Sequence, residues 1–258
     1  MANLILKTSF EDVTKVDRNT LSLPVPHRFN PGYPDPGEAL SMFFIEEGFA
    51  YSGNKCLGLR LENGGQSDYR AEFNITGMEY LVGEEYYAQW MMYFPPDFSL
   101  DSPTNRWSTP VQIHTDNNPP TYAPKTHLFL NEPNPEEFWI SVGGRDENAA
   151  FWDPLPHKRF SPKGRWIPVA VHFKRGDSIK FWLDKALQFE THEIPPIVAS
   201  EWSFAPVKIY CESDDPTTHV IYIDDLEIWD GLPPPTPTSP LGLVPWLAGF
   251  YYMLKGRG

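Results

Sequence analysis

The chain has little of what marks several common classes of protein. Its 258 residues include only two cysteines, Cys56 and Cys211. They lack metal-ligand spacing, which leaves two buried free thiols or a single disulfide and excludes a disulfide-dense scaffold. No apolar run approaches the ~18 residues of a membrane-spanning helix. The opening MANLILKTSFEDV offers only Leu4, Ile5 and Leu6 before Lys7, which is neither the basic segment nor the long apolar segment of a secretory signal. The chain is therefore expected to stay in the cell, to leave by another route, or to have lost a leader; the virion surface and the extracellular space stay open as locations. Basic residues are also scarce, with 21 Lys and Arg against 34 Asp and Glu and a formal charge of -13. Long-range electrostatics then disfavour nucleic acid and anionic membranes as partners. Helical periodicity is rare, so helix is expected to contribute little.

Turns and strand formers are plentiful. The 28 prolines and 18 glycines punctuate short runs rich in Val, Ile, Tyr, Phe and Trp, the pattern of an all-β sandwich folded as one domain. The strand candidates are LILKTSF, CLGLRLE, YRAEFNI, YYAQWMMYF, PVQIHTD, THLFLN, FWISVGG, IPVAVHFK, SIKFWLD, VKIYCES and HVIYIDDLEIW. In YYAQWMMYF, alternation assigns Tyr86, Ala88, Trp90, Met92 and Phe94 to the core and leaves Tyr87, Gln89, Met91 and Tyr93 on a face suited to lining a groove. Lys174-Arg175-Gly176-Asp177 reads as a tight hairpin turn between two strands. Residues 24–37 and 95–110 read as long proline-rich loops, the usual place for binding sites or for covers over sheet edges. Beyond residue 230 the composition changes. Residues 231–240 form a proline-rich spacer, and residues 241–258, LGLVPWLAGFYYMLKGRG, form an apolar tail with a basic end. The sandwich is thus expected over residues 1–230, with the tail docking onto the sandwich, an interface or a partner chain.

Chemistry-bearing residues concentrate on two strands. Gln112 and His114 stand two apart in VQIHTD, as do Asp68, Arg70 and Glu72 in SDYRAEF, so each set shares a strand face. Such a face is costly to bury without partners, which leaves a cleft or a closed polar network as the alternatives.

The order SDYRAEFNITGMEYLVGEEYYAQWMMYFPPDF, VQIHTDNNPPTYAPKTHLFLN, KGRWIPVAVHFKRGDSIKFWLDKAL, VKIYCES and VIYIDDLEIW resembles the jelly-roll, concanavalin A-like group of polysaccharide lyases. Heparin lyase I, glucuronan lyase and alginate lyases belong to that group. The resemblance implies a two-sheet antiparallel jelly roll and β-elimination on a uronate-containing glycan. Elimination needs a neutraliser for the C5 carboxylate, a base for the C5 proton and an acid for the leaving O4. By position, Arg70 and Gln112 look like neutralisers, His114 like the base or its helper, and Tyr210 like the catalytic tyrosine. Glu72, Lys174, Arg175 and Lys208 look like substrate-binding residues. Arg70, Lys163, Arg165, Lys174 and Arg175 would supply a local basic patch for a polyanion. The sequence departs from the group at Lys208, which precedes Tyr210 where the group carries a glycine, and at Cys211, which follows it. In similar sandwiches acidic pairs such as Glu11-Asp12 and Asp224-Asp225 meet at a structural calcium ion, making Glu11, Asp224 and Asp225 candidate ligands; no cofactor is required otherwise. His127, His172 and His192 read as surface or satisfied core residues. Two functions compete: a lyase or binder of an acidic polysaccharide, and a non-catalytic virion or surface-layer component that docks or self-assembles through residues 241–258.

Overall fold

The computed structural model describes residues 2–13, 16–17, 20–21, 23, 27–31, 41–61, 70–75, 85–100, 107–115, 125–134, 137–145, 151–152, 158–174, 177–192, 202–210 and 218–233. Among these residues every regular element is a strand. In chain order they are β1 (Leu4–Thr8), β2 (Val16–Asp17), β3 (Thr20–Leu21), β4 (His27–Pro31), β5 (Ser41–Glu47), β6 (Lys55–Leu61), β7 (Arg70–Ile75), β8 (Glu85–Tyr93) and β9 (Trp107–Thr115). Then follow β10 (Lys125–Asn134), β11 (Glu137–Arg145), β12 (Phe151–Trp152), β13 (Lys158–Phe160), β14 (Trp166–Lys174), β15 (Ser178–Leu183), β16 (Ala186–Thr191), β17 (Trp202–Tyr210) and β18 (His219–Trp229). Each of the eleven runs expected from the sequence overlaps one of these strands.

Two antiparallel sheets face each other. The first runs β16-β15-β14-β8-β18-β6-β5, with β1 added to β18; the second runs β12-β11-β10-β9-β17-β7-β4, with β13 added to β11. This is the jelly-roll sandwich expected from the sequence. Strand alternation delivers Ala88, Trp90 and Met92 of β8 and the following Phe94 into the core, together with Val169 and Val171 of β14 and Phe73, Ile113, Phe204, Val207 and Ile209 of the second sheet. Trp90 meets Phe204 across the gap edge-on, with ring centroids 5.5 Å apart, and Tyr86 meets the same ring at 6.3 Å, so aromatic contacts tie β8 of one sheet to β17 of the other. Replacing Trp90 by alanine removes the largest fully buried side chain among the described residues and is expected to cost about 3–5 kcal/mol.

Two loop expectations are corrected. Within residues 24–37, His27–Pro31 forms β4, an edge strand paired with β7 in register Phe29↔Phe73, and the proline is tolerated because it ends an edge strand. Within residues 95–110, Phe98 and Leu100 are core residues. Phe98 is held by its N–H to Pro95 O at 3.0 Å and by edge contact with Phe94 at 5.1 Å. Trp107–Pro110 of the same stretch belongs to β9, and residues 101–106 lie outside the described residues. The expected hairpin is present: β14 and β15 pair up to Lys174↔Ser178, closed by Asp177 N–H to Lys174 O at 3.0 Å. Gly164 of the KGRW turn has φ 73°, a left-handed conformation that only glycine adopts without strain. Residues 234–258, and with them most of the spacer and the tail, lie outside the described residues, as does Cys211. Cys56 is a free, buried thiol that donates to Phe49 O, and burial pushes its pKa up to about 12.

The outer face of the first sheet is not a groove. A row of paired residues crosses five strands in the order Phe44, Gly58, Tyr222, Tyr93, Trp166. Phe44 lies over Gly58, where an added Cβ would sit 2.3 Å from the ring. Beside this row Tyr87, Met91 and Ala170 are buried under the half-buried Trp166, Trp182 and Trp229. The Tyr87, Gln89, Met91, Tyr93 face of β8 is therefore packed shut, and it lies on the sheet that does not carry Gln112.

Candidate functional site

The candidate site lies on three neighbouring strands of the second sheet, β9, β17 and β7. Ala71, Phe73 and Ile75 of β7 and Val111 and Ile113 of β9 point into the core, so alternation sends Glu72 and Gln112 to the opposite side. Between them runs β17, with Val207 and Ile209 in the core and Lys208 on the same outer side. Lys208 Nζ lies 2.8 Å from Glu72 Oε2 and donates a second hydrogen bond to Gln112 Oε1. All three are buried, at 4%, 6% and 2% exposure respectively. The cross-strand pair Glu72↔Lys208 sets opposite charges side by side, and the lysine stem crosses β17 toward β9. Of the two alternatives read from the sequence, the centre of this face is a closed polar network. Lys208 and Glu72 spend their charges on each other, and neither is an open ligand for a polyanion.

The backbone register locates the other candidates, whose side chains lie outside the described residues. Arg70 pairs directly with Tyr210, which places their Cα atoms about 5 Å apart. Gln112 pairs with Ala205 and His114 with Ser203. Ser203 and Tyr210 stand at opposite ends of β17, separated by roughly 20 Å at ~3.3 Å per residue. Arg70 and Tyr210 thus share one end of the site, the Lys208 network occupies the middle, and His114 sits at the other end. All belong to one three-strand floor, but not to one reacting point. Sequence reasoning missed two neighbours: β10 pairs Lys125 with His114 and His127 with Gln112. No spacing within one strand reveals a partner contributed by the next.

The basic patch does not gather on this floor. Lys174 belongs to the hairpin of the first sheet and is ion-paired to Asp177 at 3.1 Å, while Arg165 binds Asp184 at 2.7 Å. Lys163 lies 4.5 Å over the Phe138 ring. Arg175 is outside the described residues. His172 is buried and contacts Glu85 Oε1 at 2.6 Å; burial lowers its pKa, against the pull of that carboxylate.

The three candidate calcium ligands meet elsewhere, at the loop joining β5 to β6. Asp224, fully buried, accepts from Tyr51 N–H at 3.0 Å and Ser52 N–H at 2.9 Å through Oδ2, and from Asp225 N–H at 2.7 Å through Oδ1. Glu11 Oε1 accepts from Asn54 and Lys55 N–H, each at 2.6 Å, and Ser52 Oγ donates to Asp225 Oδ1 at 2.7 Å. A bulge in β18 between Asp224 and Glu227, with Asp225 at φ 49°, makes room for this arrangement. The Lys55 and Asn54 amides hold the Glu11 carboxyl below its usual range. Burial pushes Asp224 up to about 6. Among the described residues no group of three or more His, Cys, Asp or Glu could hold a metal ion. These carboxylates clasp the loop, Glu11 and Asp224 through its N–H groups and Asp225 through the Ser52 hydroxyl.

An antiparallel jelly roll with a polar, strand-built floor on one sheet is the frame, and the class, a carbohydrate-active, lyase-like protein, comes from the family match. The chain matches the polysaccharide lyase family over residues 38–227, most of its length, and belongs to that family. Among solved structures it is similar to an endo-β-1,4-glucuronan lyase from the fungus Trichoderma reesei, with 12% identity and a TM-score of 0.55 over 78% of this chain and 93% of that one. It is also similar to the cellulose-induced protein Cip1, at 14% identity and a TM-score of 0.53 over 87% and 96%. An alginate lyase in complex with an alginate tetrasaccharide gives 11% identity and a TM-score of 0.51 over 78% and 86%. At such identities the likeness establishes the fold. No curated protein matches the chain. Among the described residues no helix is long and apolar enough to cross a membrane.

Proposed function

We propose that the protein cleaves a uronate-containing polysaccharide by β-elimination on the β9-β17-β7 floor, with Tyr210 and Arg70 at the reacting end. The observation that carries this reading is the direct pairing of Arg70 with Tyr210 in a chain of the polysaccharide lyase family. A tyrosine hydroxyl, with an ordinary pKa near ~10, becomes a usable base only beside a cation, and the neighbouring arginine has that charge at every working pH. In the reaction Tyr210 takes the C5 proton. The C5–H electrons form the C4=C5 double bond, the C4–O4 bond breaks, and O4 leaves with a proton returned by the same tyrosine. Arg70 offsets the charge that grows on the C5 carboxylate. His114 serves a distal sugar: the floor is roughly 20 Å long, room for several sugar units.

The test is incubation with glucuronan, alginate and heparin, followed by the ultraviolet absorbance of unsaturated ends. Tyr210→Phe is expected to lower the rate by about 10²–10⁴-fold, while His114→Ala chiefly raises KM. No unsaturated product from any of the three polymers sinks the enzyme reading. One observation favours a second reading: the buried Lys208–Glu72 pair closes the middle of the floor, as suits a non-catalytic binding or assembly protein docked through residues 241–258. That reading requires a Tyr210→Phe variant indistinguishable from the parent, and a chain ending at residue 233 that folds but no longer associates with its partner.

A further inference from the structure

Strand lysines in this protein are repeatedly registered against acids. Lys7 pairs with Glu227, Lys55 with Glu47, Lys174 with Glu85, Lys180 with Glu190 and Lys208 with Glu72. One row of the second sheet breaks this habit. Lys125 of β10 stands between Arg145 of β11 and His114 of β9, and among the described pairings no other lysine or arginine lies directly opposite a second one. Ile113, Leu128 and Ile140 of the same three strands are core residues, so alternation places His114, Lys125 and Arg145 together on the outer face. Directly paired residues have Cα atoms about 5 Å apart, and like charges set opposite each other destabilise a sheet. With 34 acidic residues against 21 basic ones in the chain, an acidic partner is the commoner choice, yet the row has none. Binding an anion removes the repulsion and recovers what the row costs in folding.

We propose that Arg145, Lys125 and His114 form an anion site at the β11-β10-β9 end of the outer face, taking a carboxylate or sulfate group of a polysaccharide. A guanidinium offers a planar fork of donors that matches an oxyanion, an ammonium adds a compact charge, and an imidazole donates a further hydrogen bond. The site goes beyond the elimination reading. It lies roughly 20 Å along the strands from the Arg70–Tyr210 pair, and it works whether or not a bond is broken there. It also gives an acidic protein a hold on an acidic glycan: the overall charge of -13 is screened within about 8 Å at physiological salt, so contact with the cationic row decides.

The test uses the intact chain, its Lys125→Gln, Arg145→Gln and double variants, and Lys180→Gln as a control of equal charge on the other sheet. Calorimetry measures affinity for a β-1,4-linked glucuronate tetrasaccharide, a heparin tetrasaccharide and neutral cellotetraose, and thermal unfolding without ligand is followed in parallel. The double variant is expected to bind the charged tetrasaccharides about tenfold or more weakly, with an unfolding midpoint equal to or above that of the parent. Lys180→Gln is expected to keep the affinity and to lose a little stability with its Glu190 contact. Whichever charged tetrasaccharide binds more tightly names the anion, carboxylate or sulfate, and either supports the site. A double variant with parental affinity overturns it, as does a midpoint lowered at least as far as in Lys180→Gln, which would mean that acids of the chain already neutralise the row. Equal binding of cellotetraose, or no binding of the charged tetrasaccharides by the parent, overturns it too. A parent that binds them but releases no unsaturated product from the polymers overturns the elimination reading and leaves this site standing.

Discussion

The two sheets each carry a constellation of one lysine, one glutamate and one glutamine, and the two are wired differently. On the first sheet Glu227 is central. It receives Lys7 Nζ at 2.7 Å and Gln89 Nε2 at 2.7 Å, and Gln89 Oε1 is in turn capped by the Tyr87 hydroxyl at 3.1 Å. On the second sheet Lys208 is central, between Glu72 and Gln112. When the acid is central, the glutamine donates to the acid and accepts from a tyrosine, so both ends of its amide are engaged within the chain of contacts. When the lysine is central, it donates to the accepting end of the glutamine and is ion-paired with the glutamate, so one cation joins the side chains of both neighbouring strands. The same three residue types therefore make a network with the acid at its centre in one place and with the lysine at its centre in the other. Cation burial differs too: the Lys7 side chain is 59% exposed and that of Lys208 is 6% exposed.

The largest expected effect follows from that last difference. Lys208→Met leaves Glu72 buried without its cation and is expected to lower the unfolding free energy by about 3–5 kcal/mol, whereas Glu72→Leu/Lys208→Met returns it to near the parental value. Urea unfolding of the three proteins checks this. A single variant as stable as the parent would show that the second network is more hydrated than its exposures indicate, and the contrast between the sheets would collapse.

Asp224 extends the comparison to a buried acid with N–H donors and no cation. Its folded pKa is raised from the ordinary 3.8 to about 6, so the folded state binds a proton more tightly than the unfolded chain does. The stabilisation this gives is fully present below about pH 4 and is lost as pH rises through about 6, a decline of about 2–3 kcal/mol. Glu11, which clasps the same loop, is shifted the other way. Its contribution is present above its ordinary 4.5 and is lost as pH falls through its lower folded value. Urea unfolding at several pH values between 4 and 7 is expected to show the Asp224 decline in the parent and its disappearance in Asp224→Asn.

The next effect concerns the capped amide. Gln89→Leu strands both the Tyr87 hydroxyl and one Glu227 oxygen in a buried setting and is expected to cost about 1–3 kcal/mol, with no change in affinity for uronate tetrasaccharides. Gln112→Leu takes an acceptor from the buried Lys208 ammonium and is expected to cost at least as much. Urea unfolding of the two variants decides it, and a Gln112→Leu variant as stable as the parent would mean that the lysine-centred network does not depend on that acceptor.

Much of the sandwich was legible because period-2 alternation is a local signal. The core face of β8, from Tyr86 to Phe94, and the β14-β15 hairpin follow from neighbours in the chain. The strand β4 was hidden because its prolines read as loop, although an edge strand accepts them. The core role of Phe98 and Leu100 was hidden because a plug has no period. For the site, the types Arg70, Gln112, His114 and Tyr210 were legible. Their separation along β17 was not, because register is set between strands, and a bulge between Phe204 and Val207 shifts it invisibly to any single segment. Nor does the sequence distinguish Lys208–Glu72–Gln112 from Lys7–Glu227–Gln89, since which member is central depends on pairing across residues 72 to 208 and 89 to 227. Lys174 was grouped with the site for its charge alone, and the sheet order sends it to the far side of the sandwich.

The smallest expected effect is the sharpest control. Lys7 is mostly exposed, so its 2.7 Å contact with Glu227 is screened by water and salt, and Lys7→Met is expected to change stability by less than about 1 kcal/mol. The reason lies in the wiring. Glu227 keeps the Gln89 amide as donor when Lys7 is removed, whereas Glu72 loses its cation when Lys208 is removed. If the two single lysine variants lose similar stability, burial of the cation is not what distinguishes the networks. If Lys7→Met is nearly silent at both low and moderate salt while Lys208→Met is not, then the lysine's place in each network, central or peripheral, accounts for the difference.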